Sequence, residues 1–188
     1  MKHSKLKKIV LIGASTGGPG QIQKIISALP KLQNTTLIIA QHMVYSFMDS
    51  FASRLQNISH NSISLVKDKQ TLQSHNIYVL EGETTLTDNI FSMKHGSLNT
   101  YNPNINILFN SFVSLCEERE LLCVILTGIG DDGVEACKNL SLSGARCITE
   151  SAESAIVDGM PSRARLLVPN IEVYHIDEIV KIISEFCE

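Results

Sequence analysis

Residues 13–18 read Gly13-Ala14-Ser15-Thr16-Gly17-Gly18, directly after the apolar run Ile9-Val10-Leu11-Ile12 and directly before a segment of helical spacing. This is a strand, a tight turn and a helix start. Open α/β sheets gather their ligands at the carboxyl ends of strands, and a helix start offers unbonded backbone N–H groups. A serine placed there suits a nucleophile beside an oxyanion site. The letters also satisfy G-x-S-x-G, in which small residues on both sides let the backbone turn sharply and expose the hydroxyl. Two other readings compete. One is a glycine-rich strand-to-helix turn in which Ser15 or Thr16 merely caps the helix. The other is a nucleotide site, because the stretch is one residue away from G-x-G-x-x-G. That fold needs its second glycine for close approach to a pyrophosphate, and an acid about 20 positions further on. Ser15 stands in place of that glycine, and the next strand ends in Ile39-Ala40-Gln41-His42 with no acid, so both requirements fail.

Outward from this stretch, 188 residues suit one domain, spanning 1–188, with a single core that buries about 70% of the unfolded surface. With 44% hydrophobic residues, 19% charged residues and a net charge of −3, the chain is neither disordered nor a basic nucleic-acid binder. Its five cysteines (Cys116, Cys123, Cys137, Cys147 and Cys187) are odd in number and form no C-x-x-C or zinc-spaced set with histidine. They read as reduced thiols, mostly small core residues, and no metal or cofactor is expected. The basic lead Met1 to Lys8 precedes too short an apolar run for a signal peptide. No run approaches the ~20 apolar residues of a membrane helix, so the expectation is a cytoplasmic protein without membrane insertion.

In chain order, Pro19 stands in a helix's first turn, and Ile22, Ile25, Ile26 and Leu29 recur at helical spacing until Pro30. Thr36 to Ala40 is a short continuous apolar run, the mark of a strand buried on both faces, with His42 just beyond it. Ser46 and Asp49 resemble a capping box for a helix carrying Met48, Phe51, Ala52 and Leu55. From Ile63 to Leu98 the segments shorten and partly alternate, broken by Asp88-Asn89 and His95-Gly96. These predict hairpins, forming an antiparallel edge of the sheet or a small flap. Ile105, Leu108, Phe109, Phe112, Val113 and Cys116 predict an amphipathic helix after Pro103 and Asn104. Leu122 to Leu126 is another buried strand, and Thr127-Gly-Ile-Gly-Asp-Asp-Gly133 is a constrained loop at its carboxyl end. A helix through Val134, Cys137 and Leu140 stops at Gly144. A strand over Arg146 to Thr149, a polar loop from Glu150 to Gly159, a short helix from Met160-Pro161, a strand over Ile171 to Ile176 and a helix capped by Asp177 complete the chain. Such alternation implies an α/β fold: a doubly wound, mostly parallel sheet with helices on both faces and a short antiparallel hairpin region.

Three polar positions fall at the ends of three different strands: Ser15, His42, and Asp131 or Asp132. Serine, histidine and acid form the hydrolase set, in which histidine takes the hydroxyl proton and the acid fixes its tautomer. Each residue alone has an ordinary reading, a capping serine, a hydrogen-bonded histidine or a loop acid, and only their joint placement points to catalysis. The other histidines are weaker candidates: His3 lies in the basic lead, His60, His75 and His95 in polar surroundings, and His175 at the far end of the chain.

Four motifs, Ile12-Gly-Ala-Ser-Thr-Gly-Gly18, Gln41-His-Met43, Leu126-Thr-Gly-Ile-Gly-Asp-Asp-Gly133 and Gly159-Met-Pro161, resemble in order those of the CheB chemotaxis receptor methylesterase catalytic domain. The resemblance implies a serine hydrolase that removes glutamate γ-methyl esters from methyl-accepting chemotaxis receptors and, in many members, deamidates receptor glutamines. It implies Ser15 as nucleophile, His42 as base and Asp132 as third member, with Thr16 orienting the histidine and the Ile129 backbone N–H as an oxyanion donor. Ile129 replaces the family's common methionine. Asn102 to Asn106 lacks the arginine and aspartate often found there, and Asp158 replaces an aromatic residue. Family members usually carry an N-terminal receiver domain, and the short lead before Ile9 implies a catalytic domain without one. The competing class is a noncatalytic binding module that keeps the fold and uses the glycine turn to hold a ligand.

Overall fold

The computed structural model describes residues 6–94 and 102–188. Most of the basic lead, with His3, and the expected break at His95-Gly96 lie outside the described residues. The described strands are β1 (Lys8–Ala14), β2 (Thr35–Gln41), β3 (Ser62–Leu65), β4 (Asn76–Val79), β5 (Glu83–Thr87), β6 (Ile90–Lys94), β7 (Glu120–Ile125), β8 (Arg146–Glu150) and β9 (Glu172–Tyr174). The helices are α1 (Gly18–Ala28), α2 (Met48–Ile58), α3 (Ile105–Asn110), α4 (Val134–Leu142), α5 (Met160–Leu167) and α6 (Ile176–Cys187). Seven strands pair in the order β3-β4-β2-β1-β7-β8-β9, every neighbour parallel.

Strand periodicity splits the core in two. Ile9 and Leu11 point to one face, among Ile105, Phe109, Val134 and Ala164 from α3, α4 and α5. Val10 and Ile12 point to the other, among Ile22, Ile26, Phe51 and Ile179 from α1, α2 and α6. β1 is central because its residues from Ile9 to Ala14 are apolar or glycine and buried, so it is covered on both faces and flanked on both edges. The chain leaves β1 towards β2 on one side and returns to β7 on the other. The carboxyl end of β1 is therefore the topological switch point, where an open α/β sheet forms a crevice.

Part of the expected hairpin region is corrected. β3 and β4 join the main sheet in parallel, and among the described strands only β5 and β6 pair antiparallel, across a turn in which Asp88 and Asn89 adopt φ of 51° and 62°. Ile77, Tyr78 and Val79 are buried together between β3 and β2, as a strand covered on both faces requires. The expected helix after Asn104 is shorter than its apolar spacing. Ser111 Oγ donates to the Leu108 carbonyl at 2.6 Å and accepts from the Leu86 N–H at 3.0 Å, diverting the backbone into a separate turn at Val113–Glu117. The Ser46–Asp49 capping box does not form, because a 3₁₀ turn at Tyr45–Phe47 leads into α2 and no side chain caps it. His175, not Asp177, caps α6, its Nδ1 accepting from the Asp177 N–H at 3.3 Å.

Candidate active site

Strand pairing brings Ser15 and His42 together. Ala14 and Gln41 are the last register partners of β1 and β2, so Ser15 and His42 are the first residues beyond them on adjacent strands. The His42 N–H donates to the Ala14 carbonyl at 2.9 Å. On the other side of β1, the Ser15 N–H donates to the Thr127 carbonyl at 3.0 Å, which joins the serine turn to the loop after β7. The buried amide of Gln41 spans the pair, donating to the Ser15 carbonyl at 2.8 Å and to the His42 carbonyl at 2.9 Å. Gly18 makes room for that amide: a Cβ there would stand 2.0 Å from Gln41 Oε1.

The histidine is coupled to one of the two adjacent acids. His42 Nε2 lies 2.7 Å from Asp132 Oδ2, with both side chains largely buried. The same carboxylate accepts the Ile105 N–H at 2.8 Å and the Asn106 N–H at 2.9 Å, the first two amides of α3. Asn104 caps the third, accepting the Ile107 N–H at 2.8 Å. Burial alone pushes the Asp132 carboxyl up, but the hydrogen bonds from His42, Ile105 and Asn106 together outweigh it and hold the group below the usual carboxylate range. Asp131 is exposed. Of the acids that composition left open, only Asp132 meets the imidazole.

Thr16 is exposed and contacts the glycine loop through its carbonyl, which accepts from Thr127 Oγ1 at 2.9 Å. Asp132 is a residue that fixes the ring, through the 2.7 Å contact with His42 Nε2. Ile129 sits between Gly128 and Gly130 and is 60% exposed, and its N–H donates to no described residue. Glycine is required on the Ser15 side of this loop: a Cβ on Gly128 would stand 2.6 Å from Ser15 Cβ. The Gly159-Met160 pair anchors the loop, the Met160 N–H donating to the Gly128 carbonyl at 2.8 Å. A Cβ on Gly159 would meet that carbonyl at 2.5 Å, so the last of the four motifs serves the third.

Two buried polar groups beside the site, Gln21 on α1 and Glu150 at the end of β8, are not among the residues singled out from the sequence. An acid as the last residue of the strand, at the carboxyl ends where an open α/β sheet gathers its ligands, is the signal available for Glu150. Metal ligation does not suit the Asp132 site, since both carboxylate oxygens already accept N–H donors. Elsewhere, the thiols of Cys123, Cys137 and Cys147 lie within 4.8 Å of one another, Cys123 and Cys147 being register partners on β7 and β8. Burial pushes the Cys123 thiol well above its ordinary range, while hydrogen bonds from Cys123 and Cys137 pull the Cys147 thiol down to about 5, so the three do not form a trio of thiolates.

A CheB methylesterase family model matches residues 10–183. A protein-glutamate methylesterase/protein-glutamine glutaminase of Carboxydothermus hydrogenoformans is 35% identical over 170 residues, covering 86% of this chain and 48% of that protein. A Bacillus subtilis protein of the same name is 32% identical over 186 residues, covering 95% of this chain and 52% of its own length. The chain thus spans about half the length of the curated relatives it matches. The Thermotoga maritima CheB methylesterase catalytic domain superposes with a TM-score of 0.85 at 26% identity, over 95% of this chain and 98% of that one.

Proposed function

The chain belongs to the CheB methylesterase family, and we propose that it is a serine hydrolase that cleaves glutamate γ-methyl esters, and deamidates glutamines, on methyl-accepting chemotaxis receptors. The observation that carries the reading is the 2.7 Å contact between His42 Nε2 and Asp132, on a strand end that is hydrogen-bonded to the Ser15 turn. With Nε2–H given to an ionised carboxylate, the neutral ring keeps its lone pair on Nδ1. Nδ1 takes the Ser15 hydroxyl proton as Oγ attacks the γ-carbonyl carbon. The carbonyl oxygen becomes an oxyanion, received by the Ile129 N–H and by the N–H of Thr16, the residue after the nucleophile.

When the tetrahedral adduct collapses, the C–O bond to the methoxy group breaks, and His42 returns its proton to release methanol. From a glutamine, the C–N bond breaks and ammonia leaves. Water then adds to the acyl-serine, His42 accepting its proton, and the bond between the acyl carbon and Ser15 Oγ breaks as His42 returns that proton to Oγ, giving the free glutamate carboxylate and the serine hydroxyl. Asp132 stabilises the imidazolium in both halves and stays ionised. Asp132 orients the imidazole, and Thr16, which the family resemblance implies also orients it, contributes its backbone N–H. The receptors would be met in the cytoplasm, where free thiols are at home. Among the described residues no helix is long and apolar enough to cross a membrane.

The deciding experiment is methanol release from methylated receptor membranes by the parent chain and by Ser15→Ala, alongside labelling with a fluorophosphonate. The parent should release methanol and be labelled once, at Ser15, only when folded. Ser15→Ala should lose about 10⁴-fold or more in turnover and all labelling while melting like the parent. A folded chain that neither labels nor releases methanol would return the reading to a binding module.

A further inference from the structure

Glu150 is a carboxylate with no exposed surface, and the described residues place no cation in contact with its side chain. Burying an ionised group is costly unless its lone pairs are satisfied, and here they are. Oε1 accepts from Gln21 Nε2 at 2.6 Å and from Ser154 Oγ at 3.0 Å, and Oε2 accepts from the Thr127 N–H at 3.0 Å. These donors come from three segments that surround the serine. Gln21 is on α1, the helix that the Ser15 turn opens. Thr127 begins the glycine loop that carries Gly128 and Ile129. Ser154 lies in the loop leading to Gly159 and α5, and its hydroxyl also accepts the Ile176 N–H at 3.0 Å.

The link to the nucleophile is one residue long. The N–H of Thr127 is held by Glu150, its carbonyl accepts the Ser15 N–H, and its hydroxyl donates to the Thr16 carbonyl and accepts the Val157 N–H at 2.8 Å. The glycines on either side of Ile129 give this loop little rigidity of its own, so its placement depends on such ties. Arg165 secures the other end of the residue, donating to the Glu150 carbonyl at 3.0 Å and to Asp158 at 2.5 Å.

We propose that Glu150 is a positioning residue for the hydrolysis: its buried carboxylate sets the distance between the Ser15 turn and the Gly128–Ile129 loop, and so places the oxyanion donor relative to the nucleophile. The proposal rests on the assignment of Ser15 and Ile129 made above. Burial pushes the Glu150 carboxyl up, and the donated hydrogen bonds oppose this. The ionised form is the one able to accept from all three donors, whereas an amide of the same shape must turn an NH₂ towards an N–H donor.

The experiment compares the parent chain with E150Q, measuring kcat and KM for methanol release, the rate of fluorophosphonate labelling, and thermal melting. Loss of loop placement acts on the transition state, so kcat and the maximal labelling rate should both fall about 10- to 100-fold. KM should stay within about twofold. A folded E150Q with parental kcat, or with its whole loss in KM, overturns the proposal. If E150Q does not fold, Gln21→Met serves instead, because it removes the 2.6 Å donor and leaves the Thr127 contact in place. Its kcat should fall about three- to tenfold with KM held, and an unchanged kcat overturns the proposal. Activity of the parent and its loss in Ser15→Ala are established in the same assay, so a failure of the serine reading is separable from a failure of the Glu150 role.

Discussion

Asp132 and Asn106 hold each other's helices in both directions. Asp132, just before α4, accepts the Asn106 N–H at 2.9 Å in the first turn of α3, and Asn106 Oδ1 accepts the Ala136 N–H at 3.0 Å in the first turn of α4. Each side chain satisfies an amide that a helix start leaves unbonded, and the anion stands at the favourable end of the α3 dipole. The carboxylate that meets His42 is therefore aimed by a neighbouring helix rather than by its own glycine-rich loop.

This arrangement separates the two adjacent acids. Asp132→Asn keeps the volume but offers an NH₂ where N–H donors converge, and it favours the wrong histidine tautomer. It should cost up to about 10⁴-fold in turnover. Asp131→Asn changes an exposed group and should stay within about twofold. Methanol release by the two variants side by side checks the pair, and a severe loss in Asp131→Asn with a near-normal Asp132→Asn would show the triad to be one residue out.

The same carboxylate gives the fold a dependence on acid. Its folded pKa is below the unfolded one, so its contribution to stability is complete above the unfolded carboxylate value of about 4 and is lost as pH falls through the lower folded value. The stability advantage of the parent over Asp132→Asn should therefore be constant near neutrality and shrink steadily below pH of about 4. Urea unfolding at a series of pH values measures it, and a difference independent of pH down to complete acid unfolding would contradict the linkage.

Gly128 tests the closeness of the glycine loop to Ser15. The Cβ of Gly128→Ala would lie 2.4 Å from Met160 Sδ and 2.6 Å from Ser15 Cβ. The methionine sulfur can swing away, but the serine Cβ is carried by the backbone and must move with it. The expected outcome is a loss of about 10²-fold in kcat, since a displacement near 1 Å at a reacting group has that scale of effect. Parental turnover in the purified variant would show that the loop has slack not visible here.

Hydrolysis should tolerate metal chelators. Asp132 accepts three N–H donors and His42 is committed through Nε2, so neither is arranged as a ligand. Turnover after dialysis against EDTA should match that of untreated protein. Inactivation that zinc reverses would require a different mechanism.

Much of this architecture was legible along the chain, because strand and helix periods are local properties. The apolar runs at Ile9 to Ile12 and Thr36 to Ala40 mark strands buried on both faces whatever lies around them, and the intervening spacing marks a covering helix. Glycine, serine, histidine and acid at strand ends were visible for the same reason. Pairing direction was not: Ser62–Leu65 and Asn76–Val79 are too short to show whether their partner runs parallel, and the sheet order decides it. Local spacing also could not show that Ser111 would divert the helix after Asn104, or that His175 would cap α6 in place of Asp177. The choice of Asp132 over Asp131, the ring nitrogen it engages, and the ties made by Gln41 and Glu150 depend on amides contributed by other elements. A side chain's direction in a glycine-rich loop is weakly set by its own backbone, so the hydrogen-bond donors that tertiary packing brings to it determine where it points.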